Sequence, residues 1–290
     1  MKIEKLIEWQ KLKEIYEKYE PPFTTFKFDN SIAIIYHENS KLDELSARIL
    51  GMRVESLRNE FFLERASQPF KIYPSTQIIQ FEENEDPFIE DNLFKVIKNR
   101  KSIRKFKKYK ISLKELYYIL HYSYGITRSA PIYGLQRGKW YYRMVPSAGA
   151  LYPLEIYIVI LNGEIKEGLY HYRPDKNCLE KIKTGSFVNT LNGIIFAEPN
   201  VKLFDASIII IITAIFERVL IKYGDRGYRF ILMETGFVSQ NISLICEALG
   251  LGSCMIGGYL DDEVNKFLEV DGLTESALNI IIIGKPDDRN

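Results

Sequence analysis

"YRFILMETGFVSQNISLICEALGLG", Tyr228 to Gly252, reads as one long helix that stops at a glycine. Ile231, Thr235, Val238, Ile242, Ile245 and Leu249 recur at alternating spacings of four and three, which places them on one mostly apolar face. Gly236, Ser239, Ser243 and Cys246 form a neighbouring line of small side chains, across which another helix can approach closely. The helix is expected over Tyr228 to Leu249, with Gly250 where a left-handed residue is favoured. It is either central to a core or at a subunit contact, and the pattern leaves both open.

Strand-like runs flank this helix. Ser207 to Phe216 contains five consecutive isoleucines, too short for the roughly 20 residues of a membrane helix and β-branched enough for a fully buried strand. Leu154 to Leu161, Gly168 to Tyr172 and Leu278 to Gly284 read as further strands. Ile89 to Asn99 and Ser112 to Ser123 read as helices, the second opened by Ser112 with Glu115 in the capping-box pattern and closed at Gly125. Near the start, Ile3, Leu6, Ile7, Ile15, Tyr16 and Tyr19 recur near helical spacing until Pro21-Pro22, and Leu42 to Met52 is a second helical stretch. The acidic, proline-containing run Glu82 to Phe88 reads as a linker, so an N-terminal, mainly helical accessory region is expected at 1–85 and the main domain at 86–290. The pattern of strands and helices is α+β.

Lys+Arg number 39 against Asp+Glu 38, so no net field steers the chain to nucleic acid. Cys178, Cys246 and Cys254 are scattered and odd in number, giving neither a disulfide framework nor a zinc motif and implying a reducing, cytoplasmic setting. The N-terminus mixes charged and apolar residues and lacks the pattern of a secretion signal, and no membrane span is expected. His37, His121 and His171 have no carboxylate or cysteine at ligand spacing in the sequence, so no metal site is expected.

Three segments have the character of an anion or cofactor site. In "RKSIR", Arg100 to Arg104, two guanidiniums flank Ser102, a set that can fork onto phosphate oxygens, although with Lys105, Lys107, Lys108 and Lys110 following, a solvated basic loop is the better account of these residues alone. In "PSAGALYPLE", Pro146 to Glu155, Ser147, Ala148 and Gly149 leave the backbone uncovered ahead of a strand; this is either a tight turn or a surface for a flat ligand. "GLGSCMIGGYL", Gly250 to Leu260, offers Gly257-Gly258, and the terminal "IIIIGKP" places Lys285 at a strand end. Neither a dinucleotide fingerprint nor a P-loop is present.

Taken in order, "RKSIRKF", "PSAGALYPLEIYIV", "GLYHY", "KYGDRGYRFILMETGFVSQNISLICEALGLGSCMIGGYLDDEVNKFL" and "IIIIGKP" closely resemble the flavin-dependent nitroreductase superfamily, and within it the SagB and ThcOx type dehydrogenases related to McbC. The likeness spans about Asn92 to Pro286, and "YHENSKL" at Tyr36 and "KIYPS" at Lys71 also resemble SagB-type chains.

The resemblance implies an FMN-binding fold, a central mixed sheet flanked by helices, with FMN at a homodimer interface. It assigns Arg100, Ser102, Arg104 and Lys285 to the phosphate and ribityl chain, Lys285 standing where the family usually has arginine. It brings Pro146, Ser147, Ala148 and Gly149 to the flavin from the partner subunit, and lays Ile256, Gly257 and Gly258 along the rings. Lys222 and Tyr223 match a Lys-Tyr pair regarded as catalytic in azoline oxidases, where a lysine or an assisted tyrosinate removes a carbon-bound proton. The implied function is dehydrogenation of peptide azolines beside a cyclodehydratase and a precursor peptide. Two alternatives stand against it: an NAD(P)H-dependent nitroreductase or quinone reductase, and a flavin-binding scaffold without turnover.

Overall fold

The computed structural model describes residues 32–74, 77–82, 87, 92–132, 138–197, 199 and 201–287. The expected helix before Pro21 and most of the Glu82–Phe88 linker lie outside the described residues. The chain divides into two compact units, residues 1–52 and 53–290. Helices α1 (Ile32–Asn39) and α2 (Glu44–Ser56) come first, followed by α3 (Glu60–Ala66), β1 (Ile78–Gln80), α4 (Leu93–Asn99), β2 (Phe106–Lys107) and α5 (Leu113–Tyr124). The hairpin β3 (Ile126–Pro131) and β4 (Lys139–Arg143) leads through a single 3-10 turn, Ala148–Ala150, to β5 (Leu154–Ile160), β6 (Gly168–Arg173) and β7 (Cys178–Thr184). Then come α6 (Val188–Ile194), β8 (Ile208–Ile215), α7 (Glu217–Tyr223), α8 (Arg226–Ala248), β9 (Gly252–Ile256), α9 (Asp261–Leu268) and β10 (Glu275–Pro286).

The sheet runs β1-β7-β6-β5-β8-β10-β2, with β9 also paired to β10. The named pairings are antiparallel, and parallel contacts occur as isolated bridges, Ser102 to Ser253 and Ile111 to Gly163. The isoleucine run explains why the sheet is two-sided. Ile208, Ile210 and Ile212 pack into a core shared with α5 and α8, while Ile209 and Ile211 pack into a second core shared with α6 and α9. Alternate side chains of a strand point to opposite faces, so a strand covered on both must be apolar throughout. The α+β architecture flanked by helices is as expected, but the sheet expected to be mixed is antiparallel in its named pairings, with parallel contact confined to isolated bridges.

Capping follows the sequence. The Ser112 hydroxyl accepts the Glu115 amide hydrogen at 3.1 Å, and the Glu115 carboxylate accepts the Ser112 amide hydrogen at 2.9 Å. Gly250 takes the left-handed conformation, φ 64°, just beyond α8. The first of the two helices is shorter than expected, starting at Leu93 behind the cap Asn92. Within the chain, Ser239, Ser243 and Cys246 of the small-residue line of α8 are buried in the core, where Ser239 accepts the Asn279 side-chain amide at 2.7 Å. Only Gly236 of that line is exposed. Among the described residues no helix is long and apolar enough to cross a membrane.

Candidate functional site

Arg100 caps α4 and turns the chain into an extended run. That run lies against β9: the Ile103 amide donates to the Ser253 carbonyl at 2.9 Å, and Ser102 bridges Ser253. Gly252 makes the approach possible, since a Cβ there would stand 2.6 Å from Ile103 Cβ. β10 delivers Lys285 to the same end of the sheet, in register with Lys107 of β2. The Lys285 ammonium lies 3.5 Å from where a Cβ on Gly250 would be and 5.4 Å from the centre of the Tyr109 ring. From here β9 runs on to Ile256, Gly257 and Gly258. Gly257 is exposed with nothing within 4 Å of a would-be Cβ, whereas Gly258 backs onto Phe196 at 3.4 Å. Two guanidiniums, an ammonium and a hydroxyl suit a phosphate monoester. The bare strip beside them suits a flat ring, so the residues present fit FMN.

A second cluster forms around the turn before β5. Gly149, Ala150 and Tyr152 adopt positive φ of 64°, 55° and 43°, which only glycine takes without cost. A Cβ on Gly149 would lie 2.7 Å from the Tyr223 hydroxyl and 2.9 Å from Lys222 Nζ. Pro146 and Gly149 are exposed, and Ser147 and Ala148 are half-buried. Lys222 and Tyr223 close the short α7, which ends at Gly224 with φ 56°. Burial, and then the Arg58 guanidinium, lower the Lys222 pKa below the ordinary lysine value. Burial raises that of Tyr223. Lysine is thus the better base of the two, and the phenol stays protonated.

These two clusters sit at opposite ends of the sheet. Leu154 pairs with Ala214, which pairs with Ser276 near the start of β10, and Lys285 is near its end. Nine residues of strand separate those levels by roughly 30 Å. Alongside, α8 turns Leu232, Met233 and Phe237 outward, and α4, packed on α8, exposes Leu93, Phe94 and Ile97. Single exposed apolar residues need no explanation, whereas several on two helices that pack together are the kind of surface a partner can cover.

A separate cavity of about 340 Å³ lies between α3, the Gln68–Lys71 segment and α7, lined by Phe62, Phe70, Lys71, Leu151 and Arg218 among others. Another of about 460 Å³ is lined by Arg104, Lys105, Lys107, Lys108 and Lys202 with Asp205 and Asp287.

A family model, the nitroreductase family, matches residues 97–285. The chain belongs to the nitroreductase family. Within that family it is 35% identical over 196 residues to the Methanocaldococcus jannaschii protein MJ1384, assigned as a nitroreductase, covering 67% of this chain and 91% of that one. It is 34% identical over 154 residues to McbC of Escherichia coli, a microcin B17-processing protein, covering 50% of this chain and 55% of McbC. A solved nitroreductase-type structure from Anabaena variabilis aligns with TM-score 0.65 and 28% identity over 87% of this chain and 46% of that chain. The chain thus spans about half the length of the last two.

The sequence reading missed two groups. His171 is fully buried between two carboxylates, Nε2 to Glu155 at 2.7 Å and Nδ1 to Glu180 at 3.2 Å, neither of which stands at metal-ligand spacing in the sequence. Those partners come from neighbouring strands, β5 and β7, a proximity that spacing along one segment cannot reveal. Arg218 pairs with Glu155 at 2.6 Å and Arg173 with Glu180 at 2.8 Å, so both carboxylates are neutralised by cations. The second missed group is Glu234, a carboxylate 2% exposed on α8. Its signal was available: it follows Ile231 by three and precedes Val238 by four, a core position holding an acid.

Proposed function

We propose that this oxidoreductase is an FMN-dependent dehydrogenase of the McbC type that oxidises thiazoline or oxazoline rings in a peptide to the aromatic azole. The observation that carries the reading is the placement of Lys222 and Tyr223 against Gly149, the one glycine of the uncovered turn. FMN, when bound, supplies the acceptor for the two electrons that leave the ring as hydride, and oxygen takes them afterwards. Lys222, held by burial nearer its neutral form, removes the carbon-bound proton at Nζ. Tyr223, kept as a phenol, donates its hydroxyl hydrogen toward the ring heteroatom and orients it. Arg100, Ser102, Arg104 and Lys285 hold the phosphate and ribityl chain, and Ile256 to Gly258 lie along the rings. Pro146 to Gly149, together with Lys222 and Tyr223, come from the other copy of a homodimer. The separation of the two clusters along β10 supports a second copy, as does the apolar face of α4 and α8. A cyclodehydratase supplying the azoline and a precursor peptide are the partners of this reading, and the cytoplasm is its compartment. The accessory region is residues 1–85, ahead of the flavin domain at 86–290.

A second reading, an NAD(P)H-dependent nitroreductase or quinone reductase, is favoured by the likeness to MJ1384 over nearly its whole length. Anaerobic stopped-flow mixing separates the two. Bleaching of the flavin by an azoline peptide, with indifference to NADH and NADPH, supports the dehydrogenase; rapid bleaching by a nicotinamide and none by the peptide supports the reductase.

A further inference from the structure

The turn from Ser147 to Tyr152 is strained, and something must hold it. Three of its residues have positive φ, two of them not glycine. Beneath it lies Glu234, whose carboxylate is 2% exposed. Tyr124 Oη donates to Glu234 Oε1 at 2.9 Å and itself accepts the Leu154 amide at 3.2 Å. Ser147 Oγ accepts the Tyr152 amide at 2.9 Å and faces Glu234, whose charge it helps to stabilise. The Tyr124 hydroxyl therefore spends its hydrogen on the carboxylate and a lone pair on the Leu154 amide, while the Ser147 hydroxyl, facing the same carboxylate, accepts the Tyr152 amide.

We propose that Glu234 is the positioning residue of this turn: as a carboxylate it takes the hydroxyl hydrogens of Ser147 and Tyr124, and so fixes the backbone that sets Gly149 against Lys222 and Tyr223. The consequence for flavin binding rests on the function proposed above; the consequence for the turn does not.

The mechanism depends on the polarity of the hydrogen bonds. A carboxylate only accepts, so a hydroxyl facing it turns its single hydrogen toward it and keeps its lone pairs for the backbone amides. A protonated Glu234 is a weaker acceptor and carries a hydrogen of its own, so it holds the hydroxyls less firmly and their bonds to the turn amides weaken with it. The groups facing Glu234 are Tyr124 from α5, Ser147 from the turn, Arg143 from β4 and Arg218 from α7. Burial is the largest influence and the two hydroxyls and two guanidiniums oppose it, leaving the pKa at about 7. The device is consequently poised near neutrality.

The test uses hydrogen exchange on the full chain without flavin, followed at the amides of Tyr152 and Leu154. Glu234→Ala is expected to accelerate exchange at these two amides about tenfold or more, while β6 and β7 stay unchanged. Glu234→Gln, which keeps the volume and one acceptor oxygen, is expected to lie between wild type and alanine. In parallel, FMN titrated by fluorescence quenching should bind more weakly to wild type as pH falls through about 7, and Glu234→Gln should show no such dependence. Uniform acceleration across the sheet, or unchanged Tyr152 and Leu154 exchange in the glutamine variant, would overturn the proposal. If wild type binds no FMN while the exchange pattern holds, the flavin reading fails and the turn assignment stands.

Discussion

Gly149 lies so close to Tyr223 that a single added methyl group would sit 2.7 Å from the phenol oxygen. Its φ of 64° adds a second obstacle, because an L side chain in that region costs about 1–2 kcal/mol. Gly149→Ala should therefore lower the thermal midpoint by roughly 2–8 °C and weaken FMN binding further than that loss accounts for. Differential scanning fluorimetry with an absorbance titration checks both. A variant that keeps wild-type stability and full yellow colour contradicts this packing.

Lys222→Met removes the proposed base without disturbing the cation cluster at the far end of the sheet. Flavin content should stay at the wild-type level while the azoline-dependent rate falls by about 10²-fold or more. In wild type the rate should rise with pH as Lys222 Nζ loses its proton, at a pH below the ordinary lysine value because burial and Arg58 disfavour the ammonium. A pH series of single-turnover rates measures that limb, which should be missing in the methionine variant.

His171 gives the fold a pH-dependent clamp. Burial alone would push the imidazole pKa down, but the hydrogen bonds and charges of Glu155 and Glu180 outweigh it and hold it above 6.5. Stability from the charged ring is therefore complete below pH 6.5 and lost as pH rises through the folded-state value. Urea unfolding at about pH 6 and about pH 9 should show the loss in wild type and not in His171→Gln. At the lower pH the variant should be less stable by about 3 kcal/mol, since two buried carboxylates lose a partner.

The outward face of α8 offers a direct handle on assembly. Phe237→Glu with Leu232→Glu places two charges in the middle of the exposed apolar surface formed with α4. The variant should elute as a monomer in size-exclusion chromatography with light scattering and carry no flavin, while its circular dichroism remains that of the folded chain. A flavin-loaded monomer would show that one copy suffices.

How much of this was legible beforehand follows from where each signal resides. The isoleucine run, the capping box at Ser112 and the glycine stop at Gly250 are local, and local chemistry decides them. Strand β7, the β3–β4 hairpin and the short α9 were not read, because "CLEKIKT" and "KWYYR" carry charges that their neighbours in the fold absorb. The cation cluster drew on two separated segments, Arg100–Arg104 and the strand end at Lys285, each weak alone, and only the resemblance joined them. Ser239, Ser243 and Cys246 of α8 face inward beside the apolar face of Ile231, Val238 and Ile242, while Leu232, Met233, Gly236 and Phe237 are exposed: periodicity locates a face without telling which partner covers it. Glu155 and Glu180 escaped notice since a buried acid is recognised by its partners, and those are distant in sequence, whereas Glu234 stood in plain view at a core position of the helix pattern.

The central claim is that each flavin site is shared, with cations from one copy and the Gly149–Lys222–Tyr223 cluster from the other. Co-expression of two differently tagged chains, one Arg100→Glu with Arg104→Glu and one Gly149→Val, tests it most directly. Each variant alone should be colourless. The heterodimer isolated through both tags should hold about half the FMN of the wild-type dimer, because one of its two sites is assembled entirely from unaltered residues. A colourless heterodimer would place both halves of the site in a single copy and contradict the account.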